Sequence, residues 1–191
     1  MIPLQIFFNS ISPLKAETWE KILPLFQEGK LAAGEYFVRE NEVARKFAFL
    51  ESGVVRAYFI DQKGQDYNKQ FFVGYSSIGA YTSLLTGKPN LIAQQALTDC
   101  VIWSCDYQSL ASLYDTCPDL ERQARKIAEY YFLEKEKKEL EIVLLDALQR
   151  YKIFQQEFPT LEQLIPQYHI ASYLGISATQ LSRIRHQLAL K

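Results

Sequence analysis

The spacing of apolar residues changes twice along the chain and divides it into three parts. Near the N-terminus the apolar spacing is helical and predicts a leading amphipathic helix over residues 16–26, whose buried face holds Trp19, Ile22, Leu23 and Phe26. Over residues 30–107, β-branched and aromatic residues instead form short runs separated by Gly, Pro, Asn and Asp. That pattern predicts an all-β block, and its regular turn spacing is typical of a barrel or jelly roll.

The clearest hairpin of the β block joins residues 54–60 to residues 65–73. A four-residue turn that ends in Gly64 separates the two runs, and glycine readily adopts the positive φ of tight turns. We therefore predict two neighbouring antiparallel strands here.

The third part is helical and begins near Pro118. Thr116 can cap the helix, proline suits the first turn, and Asp119 complements the positive end of the helix dipole. A narrow apolar seam follows at spacings of four and three residues, formed by Leu120, Ala124, Ile127 and Tyr131. A seam of this width suits pairing with a second copy of the helix, so we predict a dimerisation helix over residues 117–137. A single helix lying on the barrel is the alternative.

Charge separates a small C-terminal domain from the rest of the chain. The run EKEKKELE at residues 134–141 interrupts the apolar seam, and a further helical segment is predicted over residues 142–154. Residues 148–191 hold 5 basic and 2 acidic side chains, whereas residues 1–147 hold 16 and 20. We therefore predict a sensor domain over residues 1–116, the dimerisation helix, and a basic domain over residues 138–191 that is suited to a polyanion.

Two short helical patterns meet at Gly175 in the segment IASYLGISATQLSRIR, residues 170–185. Glycine suits the turn, Ser177 can cap the second helix, and the inward positions are Ile170, Ala171, Leu174, Leu181, Ile184 and Leu188. This arrangement predicts a helix-turn-helix. The outward positions of the second helix include no acidic residue and are predicted to bind DNA: Ser177, Ala178, Thr179, Gln180, Ser182, Arg183, Arg185 and His186.

The outward side chains match what a recognition helix needs. Thr179 and Ser182 are short polar groups that can reach base edges, and Arg183 can hold guanine with two hydrogen bonds. Ser177 and the free amides of the first turn suit phosphate. The alternative is that these residues form only the solvated face of a packed helix.

The order of these elements, together with the terminal pattern Ile-Ala-x-Tyr-Leu-Gly-Ile-Ser-x-x-x-Leu-Ser-Arg-Ile, resembles the Crp/Fnr transcription regulators over nearly the whole chain. The resemblance implies an α+β protein with an N-terminal cyclic-nucleotide-binding-like jelly roll as sensor, a homodimer formed along the long helix, and paired recognition helices. It places the DNA contacts at Ser177, Ala178, Thr179, Gln180 and Arg183. Double-stranded DNA, a second copy of the chain and RNA polymerase are the partners that it suggests.

The sensor half departs from the cyclic-AMP-binding members of that family. The phosphate-binding cassette of those members has a glutamate that partners the ribose, followed by an arginine and a hydroxyl residue, and at these positions this chain has Ala80, Asn90 and Leu91. Without a guanidinium, a buried phosphate would remain an uncompensated charge, so we expect no binding of cyclic AMP. The expected pocket for an unidentified small-molecule effector comprises Gly79, Ala80, Tyr81, Thr82, Ser83, Asn90 and Leu91. Only Leu188 to Lys191 follow the core of the second helix, so the wing of winged family members is expected to be reduced or missing.

Enzymatic and metal chemistry have little support in the composition. The two histidines, His169 and His186, lie in the C-terminal part, so the β block lacks the histidines of a cupin-like metalloenzyme. The three cysteines form no CxxC pair. We expect a cytoplasmic, non-enzymatic protein with no cofactor and no membrane partner. A cupin-like enzyme and a sensor module that has ceased to bind DNA are the alternatives.

Overall fold

The computed structural model describes residues 1–189, which contain eight strands and nine α-helices. The strands are β1 (Gln27–Leu31), β2 (Tyr36–Val38), β3 (Lys46–Ser52), β4 (Val54–Ile60), β5 (Asp66–Val73), β6 (Ser76–Ile78), β7 (Ala93–Ala96) and β8 (Cys100–Asp106). The helices are α1 (Pro3–Ile11), α2 (Ala16–Ile22), α3 (Tyr81–Thr86), α4 (Tyr107–Ala111), α5 (Pro118–Leu144), α6 (Ala147–Glu157), α7 (Leu161–Leu164), α8 (Gln167–Leu174) and α9 (Ala178–Ala189). None of these helices is both long enough and apolar enough to cross a lipid bilayer.

The strands form two four-stranded sheets with the orders β1-β8-β3-β6 and β2-β7-β4-β5. Strand β8 pairs antiparallel with both β1 and β3, and β3 pairs antiparallel with β6. Apolar side chains from both sheets form one buried cluster: Leu31, Ala48, Leu50, Val55, Ala57, Phe72, Ile78, Ala96, Cys100 and Ile102. The predicted jelly-roll β block and its β4–β5 hairpin are confirmed.

The N-terminal helices form a second core with the start of α5. The ring of Phe7 stacks on Phe49 of β3 with centroids 4.7 Å apart, and the buried Gln123 of α5 donates a hydrogen bond to the carbonyl of Phe8 at 2.6 Å. The predicted leading helix is shorter than expected, because Pro24 lies in a 3-10 turn that follows α2. Helix α1 was missed by the periodicity analysis.

The described chain divides into two compact units. The first contains residues 1–57 and 71–132, and the second contains residues 58–70 and 133–191. The outer part of the β4–β5 hairpin thus belongs to the same unit as the C-terminal helices. The predicted limits instead place residues 58–70 in the sensor domain, residues 1–116.

Helix α5 continues through the charge run to Leu144, so the further helical segment predicted over residues 142–154 begins later, at Ala147. The run supports the helix because opposite charges lie one turn apart, with Lys135 Nζ 3.5 Å from Glu139 Oε1 and Lys137 Nζ 3.9 Å from Glu141 Oε1. Asp146 caps this helix, α6, by accepting a hydrogen bond from the N–H of Gln149 at 2.8 Å.

Candidate nucleic-acid interface and barrel pocket

Helices α8 and α9 are joined by a left-handed turn at Gly175, where φ is 68° and ψ is 34°. The N–H of Ile176 bonds back to the carbonyl of Ala171 at 3.0 Å and closes the end of α8. A side chain at position 175 would meet nothing nearer than the hydroxyl of Tyr67, 3.9 Å away. Glycine is therefore required by backbone conformation rather than by lack of space.

Helix α9 begins as the sequence indicates. The hydroxyl of Ser177 accepts a hydrogen bond from the N–H of Gln180 at 3.1 Å, which makes this serine the cap. Leu181 and Ile184 are buried, whereas Leu188 is half-buried. These contacts orient α9 and determine which of its side chains face outward.

Seven of the eight predicted DNA-binding residues are exposed. They form what we call the α9 face: Ser177, Ala178, Thr179, Gln180, Ser182, Arg183 and His186. Arg185 differs from the other seven because it is half-buried, and its positive charge acts against the rise in the pKa of Tyr151. The hydroxyl of Tyr151 donates to Glu162 Oε1 at 2.6 Å. Burial, followed by the bond to Glu162, raises the pKa of Tyr151, so the phenol stays protonated and able to donate.

The tip of the β4–β5 hairpin packs against α8, a contact that the sequence analysis missed. Buried Asn68 places its Nδ2 atom 3.3 Å from Nδ1 of His169 and donates to the His169 carbonyl at 3.1 Å. The hydroxyl of Ser172 donates to the carbonyl of Asp66 at 2.7 Å. His169 is therefore a core histidine, and a buried asparagine within a strand was the only local sign that the strand had a polar partner.

Three of the seven predicted effector residues are buried and take part in local packing and hydrogen bonding. Ala80 is buried next to α3. The hydroxyl of Ser83 donates to the carbonyl of Lys88 at 2.6 Å and accepts from the N–H of Ala44 at 3.0 Å. The amide of Asn90 bonds both the N–H and the carbonyl of Ile92. These buried polar groups are satisfied by loop contacts.

The remaining predicted pocket residues do not converge. Tyr81, Thr82 and Leu91 are exposed, Leu91 to 71% of its surface. A Cβ atom at Gly79 would lie 3.2 Å from a methyl group of Leu84, so this glycine serves close packing. Of the seven residues, four therefore take part in local packing and three are exposed to solvent.

Two members of the predicted dimer seam face the first unit's own core instead. Leu120 is buried among the N-terminal helices. The ring of Tyr131 contacts Phe72, and its hydroxyl donates to the carbonyl of Ser77 at 2.9 Å. The expectation that Leu120 and Tyr131 face a partner is therefore corrected. Ala124 and Ile127 are half-buried.

Helix α5 exposes a different set of apolar side chains towards its C-terminal end. Leu133, Leu140 and Leu144 are 60%, 56% and 71% exposed and line one open groove, together with Glu136 and Lys137. We call these three leucines the α5 stripe. Their spacings of seven and four residues place them on one side of the helix.

Within residues 1–189, no three His, Cys, Asp or Glu side chains are grouped so that they could hold a metal ion. Burial raises the pKa of Cys105 to about 12, with a smaller contribution from the charge of Asp106. The thiol of Cys105 is therefore protonated at neutral pH.

Comparison with known proteins relates the β block to a known domain family. Residues 28–117 match the cyclic nucleotide-binding domain family. A stretch of 96 residues is 26% identical to the cAMP-dependent protein kinase type II regulatory subunit of Drosophila melanogaster. This stretch covers 50% of the chain but only 24% of that relative.

Solved structures extend the likeness to the C-terminal helices. FixK2 from Bradyrhizobium japonicum superposes with a TM-score of 0.77 at 19% identity, over 86% of this chain and 85% of FixK2. A protein described as a transcriptional regulator of the Crp/Fnr family from Eubacterium rectale gives 0.74 at 14% identity, over 93% of this chain and 84% of the other. The fold of the chain is that of the Crp/Fnr regulators.

Proposed function

We propose that this protein is a transcription regulator that binds specific double-stranded DNA sites as a homodimer. The α9 face carries the proposal, because it is an exposed polar and basic surface on the second helix of a helix-turn-helix. The likeness to Crp/Fnr regulators supports the same function. A non-enzymatic, cytoplasmic regulator that contacts RNA polymerase accords with it.

The chemistry of the α9 face suits the major groove. Thr179, Ser182 and Arg183 lie within the first two turns of α9, where they can meet base edges. The first turn contains no acidic residue, and its amides together with the Ser177 hydroxyl suit a phosphate. Arg185 is half-buried and lies at the margin of this face.

The α5 stripe supports the proposed dimer. Its three leucines present apolar surface on one side of a 27-residue helix, and pairing with the same surface of a second copy would remove them from water. Glu136 and Lys137 border the stripe. The seam thus lies nearer the C-terminal end of α5 than the sequence predicted.

The barrel does not suit cyclic AMP. A bound phosphate would find Asn90 where a guanidinium is needed, and the ribose would find Ala80 where a carboxylate is needed. The Asn90 amide already bonds Ile92. We therefore propose either a different effector or regulation without one. Titration of the purified protein with cyclic AMP by calorimetry is expected to give no heat of binding.

Selection from a pool of random duplexes tests DNA binding by the full chain. We expect an enriched inverted repeat whose half-sites are separated by about 34 Å, one turn of DNA. Recovery of no enriched sequence at low salt would contradict the proposal and favour the sensor module that does not bind DNA. A specific site would exclude that alternative.

A further inference from the structure

The side chain of Arg150 connects the ends of two helices that lie far apart in the chain. From α6, its Nη1 atom donates a hydrogen bond to the carbonyl of Leu145, at the end of α5, at 2.5 Å. Its Nε and Nη2 atoms donate to the carbonyl of Leu174, the last residue of α8, at 3.3 and 3.1 Å. One half-buried guanidinium therefore spans the end of the long helix and the turn of the helix-turn-helix.

Both acceptors are groups that need an external partner. The last carbonyls of an α-helix have no N–H within the helix to pair with, and the helix dipole makes them favourable sites for a cation. Arginine suits this position because its guanidinium is planar, permanently charged and able to donate in several directions at once. A lysine ammonium is a single point charge on a flexible stem.

A second contact joins the same two helices. Lys138 of α5 lies over the ring of Tyr173 with Nζ 3.7 Å from the centroid, and it pairs with Glu141 at 3.6 Å. Tyr173 precedes Leu174, so the cation–π contact and the Arg150 bonds act on the same turn of α8. The end of α8 is thus tied to α5 at two neighbouring points.

We propose that Arg150 is a positioning residue that fixes the α8–α9 pair relative to α5 and thereby sets the distance between the two recognition helices of the dimer. The inference rests on the proposed function, because α5 defines the two-fold axis and α9 reads the DNA. A change in the angle between α8 and α5 is repeated in both subunits. The preferred spacing of half-sites depends on that angle.

The test measures how affinity depends on half-site spacing. Operators derived from the selected repeat are lengthened or shortened by one and two base pairs, and the Kd of each is measured for wild type, Arg150→Gln, Arg150→Lys and Lys152→Gln. Lys152 is the matched control because it is exposed on the same helix, and its replacement removes the same single charge. Loss of charge alone weakens all operators alike.

We define the spacing preference as the Kd for an operator of altered spacing divided by the Kd for the best spacing. In both Arg150 variants we expect this ratio to fall about tenfold, which corresponds to the contribution of one hydrogen bond from a charged group. Lys152→Gln is expected to keep the wild-type profile. A variant that merely unfolds lowers binding to every operator equally. Arg150→Lys keeps the positive charge, so it is the variant with the smaller risk of unfolding. Wild-type spacing preference in both Arg150 variants would overturn the inference, whereas a wild type that selects no DNA would overturn the proposed function itself.

Discussion

The hydroxyl of Ser172 accepts a hydrogen bond from the backbone N–H of Asn68 at 2.9 Å, and the two residues are 104 positions apart in the chain. The same hydroxyl donates to the carbonyl of Asp66. Because β5 is the outer strand of its sheet, these backbone groups lie where a further strand would pair. A side chain from the helix-turn-helix therefore completes the edge of a strand that begins in the β4–β5 hairpin.

Ser172→Ala should loosen this contact. The change leaves the Asn68 N–H and the Asp66 carbonyl without the hydroxyl, at a cost of about 1–3 kcal/mol in local stability. Hydrogen exchange of the peptide covering residues 61–73 should become faster. Ser182→Ala, at an exposed position of α9, is the matched control and should leave that exchange unchanged. Equal exchange in the two variants would show that the serine contact contributes nothing.

Arg183→Ala should relax sequence discrimination at one base pair of each half-site. A guanidinium that donates twice to guanine contributes about 1–3 kcal/mol against the wrong base. Competition binding against operators substituted at single positions measures the effect. Lys152→Ala is the control, because it removes one positive charge at a position outside the α9 face. It should reduce the affinity for DNA without changing the base preference. A uniform loss in Arg183→Ala would assign this arginine to phosphate instead.

Leu140→Ser should weaken the dimer. The leucine is 56% exposed in one copy, and its loss from a symmetric seam removes apolar burial twice, about 3 kcal/mol in total. Analytical ultracentrifugation should show the monomer at concentrations where the wild type is dimeric. Leu85→Ser is the control, since Leu85 is equally exposed, to 58%, but lies on α3. Dimerisation of Leu140→Ser at wild-type strength would place the seam elsewhere.

The cysteines should react slowly in the folded protein. All three are buried, which shields them from the reagent, and burial raises the pKa of Cys105 to about 12, so little of the Cys105 thiol is ionised at pH 8. Mass spectrometry should find little alkylation by iodoacetamide at pH 8 without denaturant and complete alkylation in concentrated urea. Rapid labelling of the native protein would contradict the protection of these thiols by burial.

Local signals in the sequence predicted the elements that backbone chemistry controls. Gly175 and Ser177 specify the turn and the cap between α8 and α9 through φ and one nearby hydrogen bond. Pro118 marks the start of α5, and Gly64, with φ of 78°, closes the β4–β5 hairpin. Each of these features depends on a few consecutive residues. The pattern therefore predicted the β block, the long helix and most of the α9 face.

The tertiary structure alone decided which side of α5 faces its own barrel. The spacing of the apolar seam that contains Leu120 and Tyr131 suits packing against either a partner helix or the β-sandwich. Only the positions of Phe72 and the N-terminal helices determine which of the two surfaces these residues contact. The contacts of Arg150 with Leu174 and of Asn68 with His169 likewise join residues 24 and 101 positions apart. Periodicity records that a side chain is buried but not which partner buries it, because packing partners come from distant parts of the chain.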